Sequence, residues 1–158
     1  MKFEKFLKSC GTHGFVVNRD NGDKWLVCGD VGMKVPTGVN CLLGAGGASE
    51  KARKILEVIV KADTDDRVQL TAAYLPADGK ASDIVRIFGD AYNDDEIGIR
   101  NADFGLLEKS DVLLAYLEIE DDDIEDDLDN DFDEVTRFLL VLDPAEEVIG
   151  FITGVKKK

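Results

Sequence analysis

Twelve of the seventeen residues from 118 to 134 are carboxylates, in the run Glu-Ile-Glu-Asp-Asp-Asp-Ile-Glu-Asp-Asp-Leu-Asp-Asn-Asp-Phe-Asp-Glu. Such a run is open to three readings. The simplest is a solvated loop, because Asp is a poor helix former and like charges repel one another. The second is docking. Ile124, Leu128, Phe132 and Val135 recur at spacings of four, four and three. On a helix they form an apolar stripe, with Asp121, Asp122, Asp123, Asp126, Asp127 and Asp131 on the remaining faces. A segment of this kind can fold against a basic, partly apolar partner or against its own domain. A dense carboxylate array can also occupy a nucleic-acid-binding groove, since duplex DNA itself carries about one charge per 1.7 Å of axis. The third is calcium. Asp123, Glu125, Asp127, Asp129, Asp131 and Glu134 can be laid on the EF-hand ligand positions, but Leu128 then stands where the loop needs Gly for its sharp turn. Asp123, Glu125, Asp127, Asp131 and Glu134 are therefore weak metal candidates, suited to loose binding of divalent cations.

Other residues with chemical potential are sparse. Gly44-Ala45-Gly46-Gly47-Ala48-Ser49 follows a possible strand and opens a helix, so its amides could cradle a phosphate. It lacks the Gly-Lys-Ser/Thr of a P-loop. Ser49 stands where the dinucleotide fingerprint wants Gly or Ala. A linker into a capped helix is the simpler reading, and no cofactor is expected. His13 is the only histidine, and a pair with Cys10 or Cys28 would be needed for nucleophilic chemistry. Cys10, Cys28 and Cys41 are odd in number and lack CxxC spacing, which suggests neither a disulfide framework nor a zinc site. Buried thiols are expected. No two carboxylates are set apart by an apolar context, as a glycosidase pair would be. No catalytic residue is assigned, and the expectation is a protein that is not an enzyme.

The elements that must position these residues can be read from periodicity. Phe3, Phe6, Leu7 and Cys10 fall at helical spacing before Gly11. Phe15–Val17 and Trp25–Cys28 flank a turn containing Asn21-Gly22 and predict a hairpin, with Trp25 a core residue. Val31–Val35 and Val39–Leu43 are candidate third and fourth strands. Ala52, Ile55, Leu56, Ile59 and Ala62 mark one helical face behind Ser49, with Lys51, Arg53 and Lys54 on the other. Asp63–Leu75 is ambiguous, and helix is favoured because Asp63–Asp66 suit a first turn and Pro76 a stop. Ile84, Val85 and Phe88 suggest a short helix, and Asn101–Lys109 another with Phe104 and Leu107 inward. Val112–Ile119 alternates as a strand, and Arg137–Leu142 with Val148–Thr153 forms a second hairpin around Asp143–Glu146. The expected fold is a single α+β domain over 1–158. One antiparallel or mixed sheet holds an N-terminal β-hairpin and a C-terminal three-stranded antiparallel portion, with short helices inserted between these two β portions.

Length and composition bound the rest. A chain of 158 residues with 44% hydrophobic residues can build a core without staples. No apolar run reaches membrane-spanning length, and the first residues do not lead into a signal-peptide segment. Charge is unevenly placed: residues 1–62 carry ten basic and six acidic side chains, residues 63–134 five and twenty-four. So negative a middle repels phosphates and anionic lipids, so neither direct nucleic-acid binding nor a membrane is expected. Lys156-Lys157-Lys158 is a short basic tail, solvated by default.

Gly11-Thr12-His13-Gly14, Asp20-Asn21-Gly22-Asp23-Lys24-Trp25, Gly32-Met33-Lys34-Val35-Pro36 and Val148-Ile149-Gly150-Phe151-Ile152-Thr153-Gly154 together resemble small proteins of tailed bacteriophages. The resemblance implies a virion component, capsid-associated or at the head–tail junction, or an accessory factor. It implies location in host cytoplasm or virion, with protein partners that include copies of itself or other virion proteins. Lys51, Arg53 and Lys54 would then meet a neighbour's acidic face. The alternative is an inhibitor that covers the nucleic-acid-binding surface of a host defence nuclease with 118–134.

Overall fold

The computed structural model describes residues 1–11, 13–19, 22–39, 56, 57, 59, 73–74, 85–88, 97–119 and 136–154. The chain opens with α1 (Phe3–Cys10), which buries Phe3, Phe6 and Cys10 on one face. Glu4 in its first turn and Lys8 in its last complement the helix dipole. Strands β1 (Phe15–Asn18), β2 (Lys24–Cys28) and β3 (Val31–Lys34) then form an antiparallel meander. The β1–β2 connection closes through Arg19 N–H to the Asp23 carbonyl at 2.8 Å, and Gly22 takes φ +89°, a conformation that favours glycine. In the C-terminal third, β7 (Val112–Ile119), β8 (Thr136–Leu142) and β9 (Val148–Thr153) form a second meander.

The two meanders are one sheet. Val31, Gly32 and Met33 of β3 pair antiparallel with Ile152, Phe151 and Gly150 of β9, giving the order β1-β2-β3-β9-β8-β7. Between them in sequence, β4 (Ala73–Tyr74), β5 (Val85–Phe88) and β6 (Ile97–Arg100) form a smaller antiparallel sheet, followed by the single turn of α2 (Asn101–Phe104). Strand outweighs helix among the described residues.

Several sequence expectations need correction. Val85–Phe88 is a strand, not a helix. The offsets of Ile84, Val85 and Phe88 fit either geometry, and a short run rich in β-branched residues favours the extended form. Ala73 and Tyr74 are strand where helix was favoured, and 63–72 lie outside the described residues. Val39 is in no strand, and 40–43 lie outside the described residues. The helix at Asn101 stops at Phe104; Phe104 and Leu107, half-buried, pack inward against the core as expected, and Leu106 between them is fully buried. The interval therefore holds strands β4–β6 where only short helices were expected, while the two β portions do join in one antiparallel sheet.

Strand alternation sends apolar side chains to both faces of the large sheet. Leu26, Val31, Met33, Leu139 and Ile152 pack with Phe3, Phe6 and Cys10 of α1 and with Phe88, Ile97 and Ile99 of the small sheet. Trp25, Val27, Phe138, Leu140 and Phe151 face the other way, where Leu56 and Ile59, both helical, cover them. Those two residues are part of the amphipathic face expected behind Ser49. Phe151 stacks on Trp25 with ring centroids 6.4 Å apart and meets the edge of Phe138 at 5.9 Å. Its ring lies across its register partner Gly32, and a Cβ there would fall within the Phe151 ring edge.

Two stability predictions follow from this packing. Gly32→Ala forces the Phe151 ring off its site and should cost roughly 1–3 kcal/mol, lowering the urea midpoint with an unchanged slope. An unaltered midpoint would mean that the ring does not rest there. Trp25 is fully buried, yet its Nε1–H has no acceptor among the described residues. Trp25→Phe removes an unsatisfied donor along with apolar area, so stability should stay within about 1 kcal/mol of the parent. A loss of about 3 kcal/mol or more would show that Nε1 makes a bond.

Candidate functional site

The acidic run is placed by the β7–β8 stem. Register runs from Ala115↔Leu140 to Ile119↔Thr136, so Ile119 and Thr136, which flank the run in sequence, are paired in the sheet. Directly opposed residues of an antiparallel pair have Cα atoms about 4.5–5.5 Å apart, so the ends of the 120–135 connection are held together. Eleven of those sixteen residues are carboxylates, and none is Lys or Arg. The register also sets Arg137 opposite Glu118 at the mouth. The stem is well founded: Phe138 to Leu142 are all buried. The candidate docking and calcium residues from Asp121 to Glu134 lie outside the described residues, as do Lys51, Arg53, Lys54, Cys41, Lys156–Lys158 and the 44–49 glycine run.

The sequence candidates for nucleophilic chemistry are not brought together. Cys10 is buried against Leu26 and the open α-carbon of Gly14, whereas His13 is exposed. Their link is through the backbone, His13 N–H to the Cys10 carbonyl at 3.0 Å. Cys28 is half-buried, and neither Cys10 nor Cys28 forms a disulfide. Among the described residues no three His, Cys, Asp or Glu side chains converge as a metal site, and no helix is long and apolar enough to cross a membrane.

Other polar clusters had no sequence signal, because their members come from separate elements. Arg86 of β5 donates from Nε to Asn101 Oδ1 at 2.9 Å and places its guanidinium 3.9 Å over the Phe104 ring, fixing α2 against the small sheet. Arg100 at the end of β6 pairs with Asp30 of the β2–β3 turn at 3.3 Å. Lys34 bridges Asp23 and Glu147, and Arg19 reaches Asp23 and Glu57, so one rim of the sheet carries partly exposed ion pairs of small individual worth. The Met1 amino group donates to Asp111 Oδ1 at 2.7 Å, and Asp111 Oδ2 accepts from the Glu108 N–H. A groove of about 540 Å³ beside α1 is lined by Phe3, Leu7, Pro36, Val39, Lys2 and Glu108. Glu4 and Lys5 of α1 line it as well.

No protein-family model, curated protein or solved structure matches the chain.

One titration is set by the Arg100 cluster. Burial raises the Asp103 pKa above its ordinary 3.8, Arg100 opposes the rise, and Asp30 adds to it. The native state therefore holds the Asp103 proton more tightly than the unfolded chain does. The stabilisation from that proton is full below the unfolded value and is lost as pH climbs through the raised native value. Asp103→Asn removes the ionised form and should raise stability at pH 7 by less than about 1 kcal/mol, since the group is half solvated. Melting temperatures of the two proteins should converge toward pH 3.8. A gain that grows in acid would reverse the assignment.

Proposed function

We propose that this protein acts by contact and not by catalysis, as a structural or accessory protein of a tailed-bacteriophage virion, capsid-associated or at the head–tail junction. The observation that carries this reading is the anchoring of a run of eleven carboxylates, unmixed with cations, on one antiparallel β7–β8 stem. Holding both ends of the run beside each other in the sheet is what a docking element needs. Lys2, Lys5 and Lys8 are exposed on α1, and together with Lys51, Arg53 and Lys54 they make the N-terminal part a cationic counterpart for an acidic neighbour. Copies of the chain or other virion proteins would meet through this pair of surfaces in the host cytoplasm and in the particle.

A second reading rests on the same density of charge: an inhibitor that fills the nucleic-acid-binding groove of a host defence nuclease with 120–135. Both readings lose their basis if the acidic connection is silent. Replacing Asp121, Asp122, Asp126, Asp127 and Asp131 with Asn should abolish capture of a basic protein, and salt should release the same partner from the parent. Co-purification with capsid or tail proteins supports the virion role. A nuclease displaced by duplex DNA supports inhibition. A strict monomer at every concentration and ionic strength, absent from virions and capturing nothing, refutes contact as the mode of action.

A further inference from the structure

The end of α1 and the start of the β1–β2 hairpin meet at one point on the large sheet. A Cβ at Gly14 would lie 3.1 Å from Cys10 Cβ, 3.4 Å from Cys10 Sγ and 3.2 Å from Leu26 Cδ1. Cys10 therefore rests over Gly14, on the face of the sheet to which Leu26 points. The register that pairs Phe15 with Val27 sets Gly14 opposite Cys28, one step further along. Side chains alternate along a strand, so Cys28 shares the face of Leu26. Cys10 belongs to the apolar cluster on that face, and Cys28 packs against it.

Opposed Cβ positions of an antiparallel pair are about 4.5–5.5 Å apart. Cys10 and Cys28 thus flank the α-carbon of Gly14, and that residue puts no side chain between them. A disulfide needs Cβ atoms about 3.5–4.5 Å apart, inside the range that these two separations allow. Adjustment is available at the helix end, where Gly11, at φ +54°, follows Cys10 directly and terminates α1. Both residues are thiols in this structure. Their accessibility differs: Cys10 is 1% exposed, whereas Cys28 is half-buried.

We propose that Cys10 and Cys28 are a reversible dithiol–disulfide pair, closed by exchange with a low-molecular-weight disulfide such as oxidised glutathione, and that closure fastens α1 to β2. Cys28, the more accessible, loses its proton and attacks one sulfur of the oxidant. The other sulfur leaves and is protonated. Cys10 then loses its proton and attacks Cys28 Sγ, which expels the second sulfur of the oxidant as a thiol. The protein gives up two electrons and two protons, and the oxidant takes both to become two thiols. A reducing compartment keeps the pair open, and an oxidising one closes it. The closed form ties the helix that carries Phe3 and Phe6 to the central strands and restricts the unfolded chain.

Cys41, the third cysteine, lies outside the described residues, so the test uses the full-length protein with Cys41→Ser. The folded protein is equilibrated with glutathione at graded ratios of oxidised to reduced form. Linkage is then read by peptide mapping without reduction. A Cys10–Cys28 link should form within the monomer, raise the melting temperature by about 5 °C or more, and reverse with dithiothreitol. Adding Cys28→Ser should abolish the link and the rise, and should leave Cys10 unmodified. A glutathione that stays on Cys28 would overturn the pair, as would a link that forms only in urea. A link that leaves the melting temperature unchanged, or lowers it, would overturn the fastening of α1.

Discussion

The pairing of Val31–Met33 with Gly150–Ile152 connects segments more than a hundred residues apart and turns two meanders into one sheet. Neither meander could bury both faces alone. Joined, they present Leu26, Met33, Leu139 and Ile152 to one side and Trp25, Phe138, Leu140 and Phe151 to the other. The seam depends on Gly32. Its missing side chain is the space that Phe151 fills, and Phe151 in turn supports Trp25 and Phe138. Loop closure grows only slowly with length, so the long separation is tolerable thermodynamically and mainly slows folding.

Because the ends of the chain build the sheet together, the interval between them is an excursion that must return to the same core. It does so through Phe88, Ile97 and Ile99, which share one apolar cluster with Phe3 and Phe6 of α1. Polar contacts then orient what the apolar contact holds. Arg86 ties α2 to β5, and Arg100 ties the end of β6 to the β2–β3 turn. Asp103 beside that tie is partly desolvated, which raises its carboxyl pKa above the ordinary 3.8.

Local pattern made much of this legible. The helix at Phe3, the strands at Phe15, Trp25, Val31, Val112, Arg137 and Val148, and the buried Leu56 and Ile59 all follow from periodicity and turn residues. The segment at Val85 was not legible, because four residues of β-branched and aromatic character satisfy either period and are decided by pairing with β6. Nor was the β3–β9 seam, since a glycine opposite a phenylalanine becomes meaningful only when both strands are placed. The acidic run is visible in the sequence, but its attachment to a sheet edge is not. The Arg86 and Arg100 contacts join residues from different elements, with no spacing rule to connect them.

The sheet also explains how so concentrated a charge can be carried. Repulsion among eleven carboxylates within one connection opposes any structure that holds them together. Here the connection grows from β8, whose residues Phe138–Leu142 are all buried, with β9 on the far side of that strand. Beyond about 8–10 Å, salt screens the charges from the core, so their repulsion acts on the connection far more than on the stem. The apolar strand and the anionic segment are thus separable in energy although adjacent in sequence. That separation leaves the composition of 120–135 free of the demands of the core, while β7, β8 and β9 answer to the fold.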